Sequence, residues 1–127
     1  HIDVARLLLE NGASVDQVMH EGVSALYIAY SAGRLESAEV LRDFGADIDY
    51  AASGGRTLLF LACKNNHMSA AYHLLENDAD VDRSDDNGAT PLHVASENGN
   101  VDAVRLLLEH DAEIDAADDD GNSPLFY

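Results

Sequence analysis

The sequence predicts an all-α solenoid of stacked helix–turn–helix units whose tips are β-turns or short hairpins. Three observations predict it. Gly22, Gly55, Gly88 and Gly121 stand 33 residues apart, and the text around them recurs: Gly22-Val-Ser-Ala-Leu, Gly55-Arg-Thr-Leu-Leu, Gly88-Ala-Thr-Pro-Leu and Gly121-Asn-Ser-Pro-Leu. A second block precedes each: Asn11-Gly-Ala-Ser-Val-Asp, Phe44-Gly-Ala-Asp-Ile-Asp, Asn77-Asp-Ala-Asp-Val-Asp and His110-Asp-Ala-Glu-Ile-Asp. Large apolar residues then form two ladders at the same period, Leu26, Leu59, Leu92, Leu125 and Leu8, Leu41, Leu74, Leu107, with small Ala29, Ala62 and Ala95 between them. A helix pair this short cannot cover its own apolar faces, so neighbouring units must stack.

This register divides the chain into a partial repeat 1–18, full repeats 19–51, 52–84 and 85–117, and the opening of another at 118–127. Ile2–Glu10 reads as a second helix without its first. The unit from Thr90 to Glu109 is the best formed. Thr90 is an N-cap whose hydroxyl can accept an orphan amide, and Pro91 at the first helical position lacks an N–H that would go unpaired. Leu92, Val94 and Ala95 give a short apolar helix that stops at Asn98-Gly99. Val101 to Leu108 is so densely apolar that it suits a helix packed on several sides, and Asp102 in its first turn complements the helix dipole. Asp111-Ala112 then turns the chain, and Ile114 anchors an extended excursion to the next glycine. Gly22, Gly55, Gly88 and Gly121 belong in turns that need positive φ. Pro124 and its neighbours begin a further first helix.

The Gly-x-Thr-Pro-Leu-His-x-Ala run of Gly88–Ala95, with Gly99, Leu106 to Leu108 and Ala112-Glu113-Ile114-Asp115 behind it, resembles the ankyrin repeat. The resemblance covers essentially the whole chain. The block departs to Ser24-Ala25-Leu26-Tyr27, Thr57-Leu58-Leu59-Phe60 and Ser123-Pro124-Leu125-Phe126 in the other units. Asn66, Asp78 and Asp111 replace turn glycines, at mild local cost because Asn and Asp tolerate left-handed backbone.

Little in the sequence points to catalysis, and no enzyme activity, metal or cofactor is expected. The resemblance implies a structural His93 that bonds the Thr90 hydroxyl and nearby backbone, and Tyr27, Phe60 and Phe126 stand at the same position without a basic nitrogen. The acidic runs at Asp85-Asp86-Asn87 and Asp118-Asp119-Asp120 miss the calcium-loop register, which would start at Arg83 and Ala116. They read as turn tips. Cys63 and His67 belong to separate elements, and Cys63 reads as an inert core thiol.

The net charge of −17, with only seven Lys and Arg, argues against nucleic acid or anionic membrane as partner. It favours a protein partner with basic patches, or serves as a solubilising surface. No apolar run approaches the ~20 residues of a membrane span. The single cysteine leans towards a cytoplasmic or otherwise intracellular setting. His1 in place of Met suggests a truncated or processed product, with further repeats expected beyond both ends.

The resemblance implies partner binding through a concave face of turn tips and the exposed sides of first helices. Matched by position, the candidates are His20, Glu21, Val23 and Ser31 in the first full repeat. The second offers Arg56, Lys64 and Asn65, the third Asp86, Asn87, Glu97 and Asn98, and the last opening Asp119 and Asp120. Arg56, Lys64 and Arg83 suggest a small basic centre beside an acidic C-terminal end. Tyr30, Tyr50 and Tyr72 are either aromatic anchors or filler between repeats. Apolar ends predict end-to-end self-association of the isolated chain. The competing expectations are an architectural or assembly segment, or the substrate-recruiting part of a larger multidomain protein.

Overall fold

A computed structural model describes residues 1–127, the side chain of Glu21 excepted. Among the described residues the chain forms α1 (Ile2–Glu10), α2 (Ala25–Ser31), α3 (Leu35–Asp43), α4 (Leu58–Lys64), α5 (Met68–Leu75), α6 (Pro91–Glu97) and α7 (Val101–Glu109). A two-stranded hairpin, β1 (Ala51–Ala52) and β2 (Arg56–Thr57), precedes α4, and an isolated bridge between Val18 and Ser24 marks the equivalent tip before α2. Helices α2, α4 and α6 are the first members of the three full repeats, and α3, α5 and α7 the second members. Helix α4 packs on α5 within its own unit and on α6 of the next, which is the solenoid arrangement.

Each first helix starts at a residue chosen for that end. Ser24, Thr57 and Thr90 adopt extended backbone, and their hydroxyls accept the N–H of Tyr27 (3.1 Å), Phe60 (3.2 Å) and His93 (3.4 Å). Left-handed residues then stop both helices of a unit at fixed places. Gly33, Asn66 and Gly99 follow the first helices, and Gly12, Gly45, Asp78 and Asp111 the second, all with positive φ. The polar replacements Asn66, Asp78 and Asp111 thus hold the same conformation as the glycines they stand for.

Leu26, Leu59 and Leu92 are buried on one ladder and Leu41, Leu74 and Leu107 on the other, with Ala29, Ala62 and Ala95 admitting the close approach of first helices. The end members behave oppositely. Leu125 is 91% exposed and Leu8 57%, because no unit stands beyond them in the structure. The same geometry corrects the reading of α7 as packed on several sides: Ala103, Leu106 and Leu107 are buried, whereas Val101 and Leu108 face solvent at the last interface, as does Ile114. Residues Pro124–Phe126 form a single 3-10 turn instead of an α-helix. Too few residues follow Ser123 to close successive i→i−4 hydrogen bonds, so helix nucleation goes unrewarded.

Two polar ladders stitch the units together. The carboxylate oxygens of Asp16, Asp49 and Asp82 accept the backbone N–H of Asp47 (3.4 Å), Asp80 (2.9 Å) and Glu113 (2.9 Å), each one repeat further on. At the tips, the Asp86 N–H donates to the Gly54 carbonyl (3.0 Å) and the Asp119 N–H to the Asn87 carbonyl (3.0 Å). The tips approach so closely that a Cβ on Gly88 would stand 2.9 Å from the Asp119 backbone nitrogen, while one on Gly99 would meet nothing within 4 Å. Both glycines have positive φ. Gly99→Ala therefore carries only the left-handed cost of ~1–2 kcal/mol, and Gly88→Ala adds an overpacking cost of ~1–3 kcal/mol. Urea unfolding of the two variants should rank Gly88→Ala clearly below Gly99→Ala; equal midpoints would contradict the close tip approach.

Candidate functional site

Two of the tips are organised by the first carboxylate of the acidic runs that the sequence places there, Asp85 and Asp118. Asp85 is buried, and its Oδ1 accepts the N–H of both Asn87 (2.9 Å) and Ala89 (3.0 Å). Asp118 repeats the arrangement with Asp120 (3.0 Å) and Asn122 (2.9 Å). An Asx turn of this kind fixes the loop backbone and turns the intervening side chains outward. Asp86, Asn87, Asp119 and Asp120 are accordingly exposed. The signal was present as Asp-x-Asn/Asp-Gly, with the Asp three residues ahead of Gly88 and of Gly121. Tyr127 donates its hydroxyl to Asp118 Oδ2 (2.7 Å), which, with the Asn122 amide, holds that carboxyl below its usual range; Asp118 in turn raises the Tyr127 hydroxyl.

In the 52–84 unit Ala52 occupies the place of Asp85, and the turn is built differently. The Gly55 N–H donates to the Ala52 carbonyl (3.1 Å), as Gly88 does to Asp85 (3.0 Å) and Gly121 to Asp118 (2.9 Å), but here Gly54 at the third turn position has φ of 83°, the sign a type II turn needs there. The Arg56 guanidinium lies against Gly54, whose added Cβ would stand 3.8 Å from its Nε. That Nε is 4.0 Å from Asp85 Oδ2 and has no hydrogen-bond partner among the described residues. Arg56 thus spans from its own tip to the next.

Other candidates divide between open and occupied. Val23 and Arg56 meet across a groove that also includes Ser53, and Ser31 and Asn65 border a smaller crevice between α2 and α4. Lys64, Glu97 and His20 are exposed, without a described hydrogen bond to another side chain. Ser31 donates to the Ile28 carbonyl (3.2 Å) and Asn98 to the Val94 carbonyl (2.9 Å), both within their own helices. Arg83 is exposed and does not line the groove beside Arg56. Glu21 lies outside the described side chains.

The chemically suggestive residues are structural. His93 Nδ1 accepts the Thr90 N–H (3.1 Å) and contacts the Thr90 hydroxyl (2.9 Å), while Nε2 stands 3.0 Å from the Asn122 carbonyl. A carbonyl can only accept, so the proton sits on Nε2 and the ring bridges two repeats. Tyr30 is filler rather than anchor: it is buried, its hydroxyl is 2.9 Å from His73 Nδ1, and His73 Nε2 reaches Glu39 (3.3 Å). Burial raises the Tyr30 hydroxyl, Arg42 opposes this, and Glu39 adds to it. His73 stands where the other units carry Leu7, Val40 and Leu106, a polar insertion whose partner no single-sequence signal disclosed. Tyr72 is exposed on α5. Cys63 is fully buried, and burial pushes its thiol up to about 12, leaving it protonated and unreactive at neutral pH. Asn100 donates to the Cys63 carbonyl (2.9 Å), closing the end of α4 from the next unit.

Among the described residues no group of three or more His, Cys, Asp or Glu could hold a metal ion, and no helix is long and apolar enough to cross a membrane. The family model described as ankyrin repeats (3 copies) matches residues 59–127, and a second, ankyrin repeats (many copies), matches residues 26–72. No curated protein matches the chain. The first match alone takes in more than half of the sequence, and ankyrin repeats generally act as protein–protein interaction modules, typically without catalysis. With capped helix pairs, left-handed stops and bonded tips recurring every 33 residues, the chain belongs to the ankyrin-repeat family.

Proposed function

We propose that the chain recognises a partner protein through the face made by its turn tips and the exposed flanks of α2, α4 and α6. One observation carries this reading. Backbone bonds link the three later tips and Asx turns fix the last two, while the outward residue at the equivalent place changes along the stack from His20 to Ser53 to the aspartates Asp86 and Asp119. A rigid frame with freely varying side chains suits recognition spread over several repeats. The acidic tips at Asp86, Asp119 and Asp120 favour Lys and Arg on the partner, and Arg56 with Lys64 adds a basic centre. The charge balance disfavours nucleic acid and anionic membrane, and the role needs neither cofactor nor catalytic residue. The compartment we infer is intracellular, on the reduced Cys63.

A second reading, assembly, is favoured by the exposed ends. Val4, Leu7 and Leu8 on α1, and Val101, Leu108, Leu125 and Phe126 at the other end, present apolar surface of the kind that interior units bury. Sedimentation of the isolated chain over a hundredfold concentration range separates the readings: end-to-end assembly predicts rising mass abolished by Leu8→Glu, whereas a constant monomer removes it.

Recognition is tested by two sets of substitutions in quantitative capture from cell extract. Lys64→Glu, Asp86→Lys and Asp119→Lys alter the tips and first helices; Glu36→Lys, Asp102→Lys and Glu109→Lys alter exposed second-helix positions. Each exposed change should shift stability by no more than ~0.5 kcal/mol. The first set should remove the captured partner about tenfold or more, and the second should leave it. The opposite pattern would sink the reading.

A further inference from the structure

We propose that the groove between the 19–51 and 52–84 repeats is a carboxylate-anchored subsite, taking an Asp or Glu side chain of an extended partner segment together with an adjoining apolar residue. The proposal rests on the recognition reading above and gives that face its substrate chemistry. The groove has a volume of about 390 Å³ and is lined by Val23, Tyr27, Ala52, Ser53, Arg56 and Leu61. Four of these present hydrocarbon or an aromatic ring; the charge among them is Arg56.

The guanidinium is held but not satisfied. Asp85 stands beside Nε at 4.0 Å, too long for a hydrogen bond, and Asp85 Oδ1 is already committed to two backbone amides. Nε is buried without a partner, and among the described residues no acceptor bonds the terminal Nη atoms, although the side chain is 43% exposed. The group lies beside Gly54, where an added Cβ would stand in ordinary contact at 3.8 Å from Nε, and this is the unit whose turn departs from the Asp-built form of the next two. A planar fork of N–H donors with one side steadied by Asp85 and the other open fits a carboxylate in bidentate fashion. The equivalent positions Val23, Ala89 and Asn122 carry no charge, so the subsite belongs to this unit alone.

Charge complementarity sets the rest of the segment. The chain carries a net −17, so an acidic segment is repelled over most of its surface, and the cations at this groove and just beyond it are Arg56 and Lys64, the latter one helical turn beyond Leu61. Screening over ~8 Å at physiological salt lets that local cation decide for one carboxylate. Further along the stack the segment meets Asp86 and then Asp119 and Asp120, each exposed. Packed helices lie ~8–10 Å apart and an extended chain advances ~3.3 Å per residue, so one repeat corresponds to about three residues. The segment therefore reads as one acidic residue beside an apolar one, with Lys or Arg about three and about six positions away.

A random twelve-residue peptide library displayed on phage, selected on the 127-residue chain, tests this without assuming a ligand. The wild-type chain should enrich peptides with that spacing, and replacing the acidic residue by its amide in a synthetic winner should weaken binding at least about tenfold. Arg56→Gln should lose the acidic preference while retaining the Lys/Arg preference set by the tips, and Arg56→Lys should keep a weaker acidic preference; melting temperatures check that both variants remain folded. Enriched peptides with no acidic preference, or with one that survives Arg56→Gln, overturn the subsite while leaving tip recognition standing. Winners insensitive to both Arg56→Gln and Asp119→Lys, or no enrichment at all, overturn the subsite, and insensitivity to both also removes the tip reading.

Discussion

No helix pair in this chain can bury its own apolar surface, and the rest of the structure follows from that constraint. A seven- to nine-residue helix is marginal alone in water, because nucleation fixes several dihedrals before any hydrogen bond repays them. Helix α4 escapes by being covered on both sides: Leu58, Leu59, Phe60, Ala62 and Cys63 are buried against α2, α5 and α6. Helix α1 has no buried residue, although its sequence Ile2-Asp-Val-Ala-Arg-Leu-Leu-Leu-Glu is nearly that of α7. The difference lies in neighbours, not in residues.

Stacking also settles what the acidic residues are for. Asp16, Asp49 and Asp82 accept amides from the following unit, and Asp85 and Asp118 accept amides within their own turns. These carboxylates work as framework, and an ionised acceptor makes the stronger kind of hydrogen bond to an amide. Part of the large negative charge is thus spent on geometry. Among the acidic residues that remain outward are Asp86, Asp119 and Asp120 on the turn tips, where Arg56 and Lys64 interrupt the negative charge.

Periodicity made the fold legible. Thr57 and Thr90 as caps, Gly88 in a left-handed turn, and Asn66, Asp78 and Asp111 in place of glycines all follow from comparing one unit with the next. Cross-repeat chemistry was harder to read. Nothing local marks His73 as the partner of Tyr30 across 43 positions, because the pair replaces apolar neighbours in only one interface. Arg56 stood out as a cation in an acidic chain, but its approach to Asp85 depends on how one turn leans on the next, and the sequence contains no measure of that lean. The ends misled in a different way: Val101 and Leu108 have core composition without a core to join.

Native-state hydrogen exchange tests the central dependence on neighbours most directly. Amides of Phe60 to Cys63 and of Val94 and Ala95, covered from both sides, should exchange only through global unfolding, while those of α1 exchange through local fraying at free energies several kcal/mol lower. Equal protection of α1 and α4 would mean that each helix stands on its own interactions, and would contradict the account.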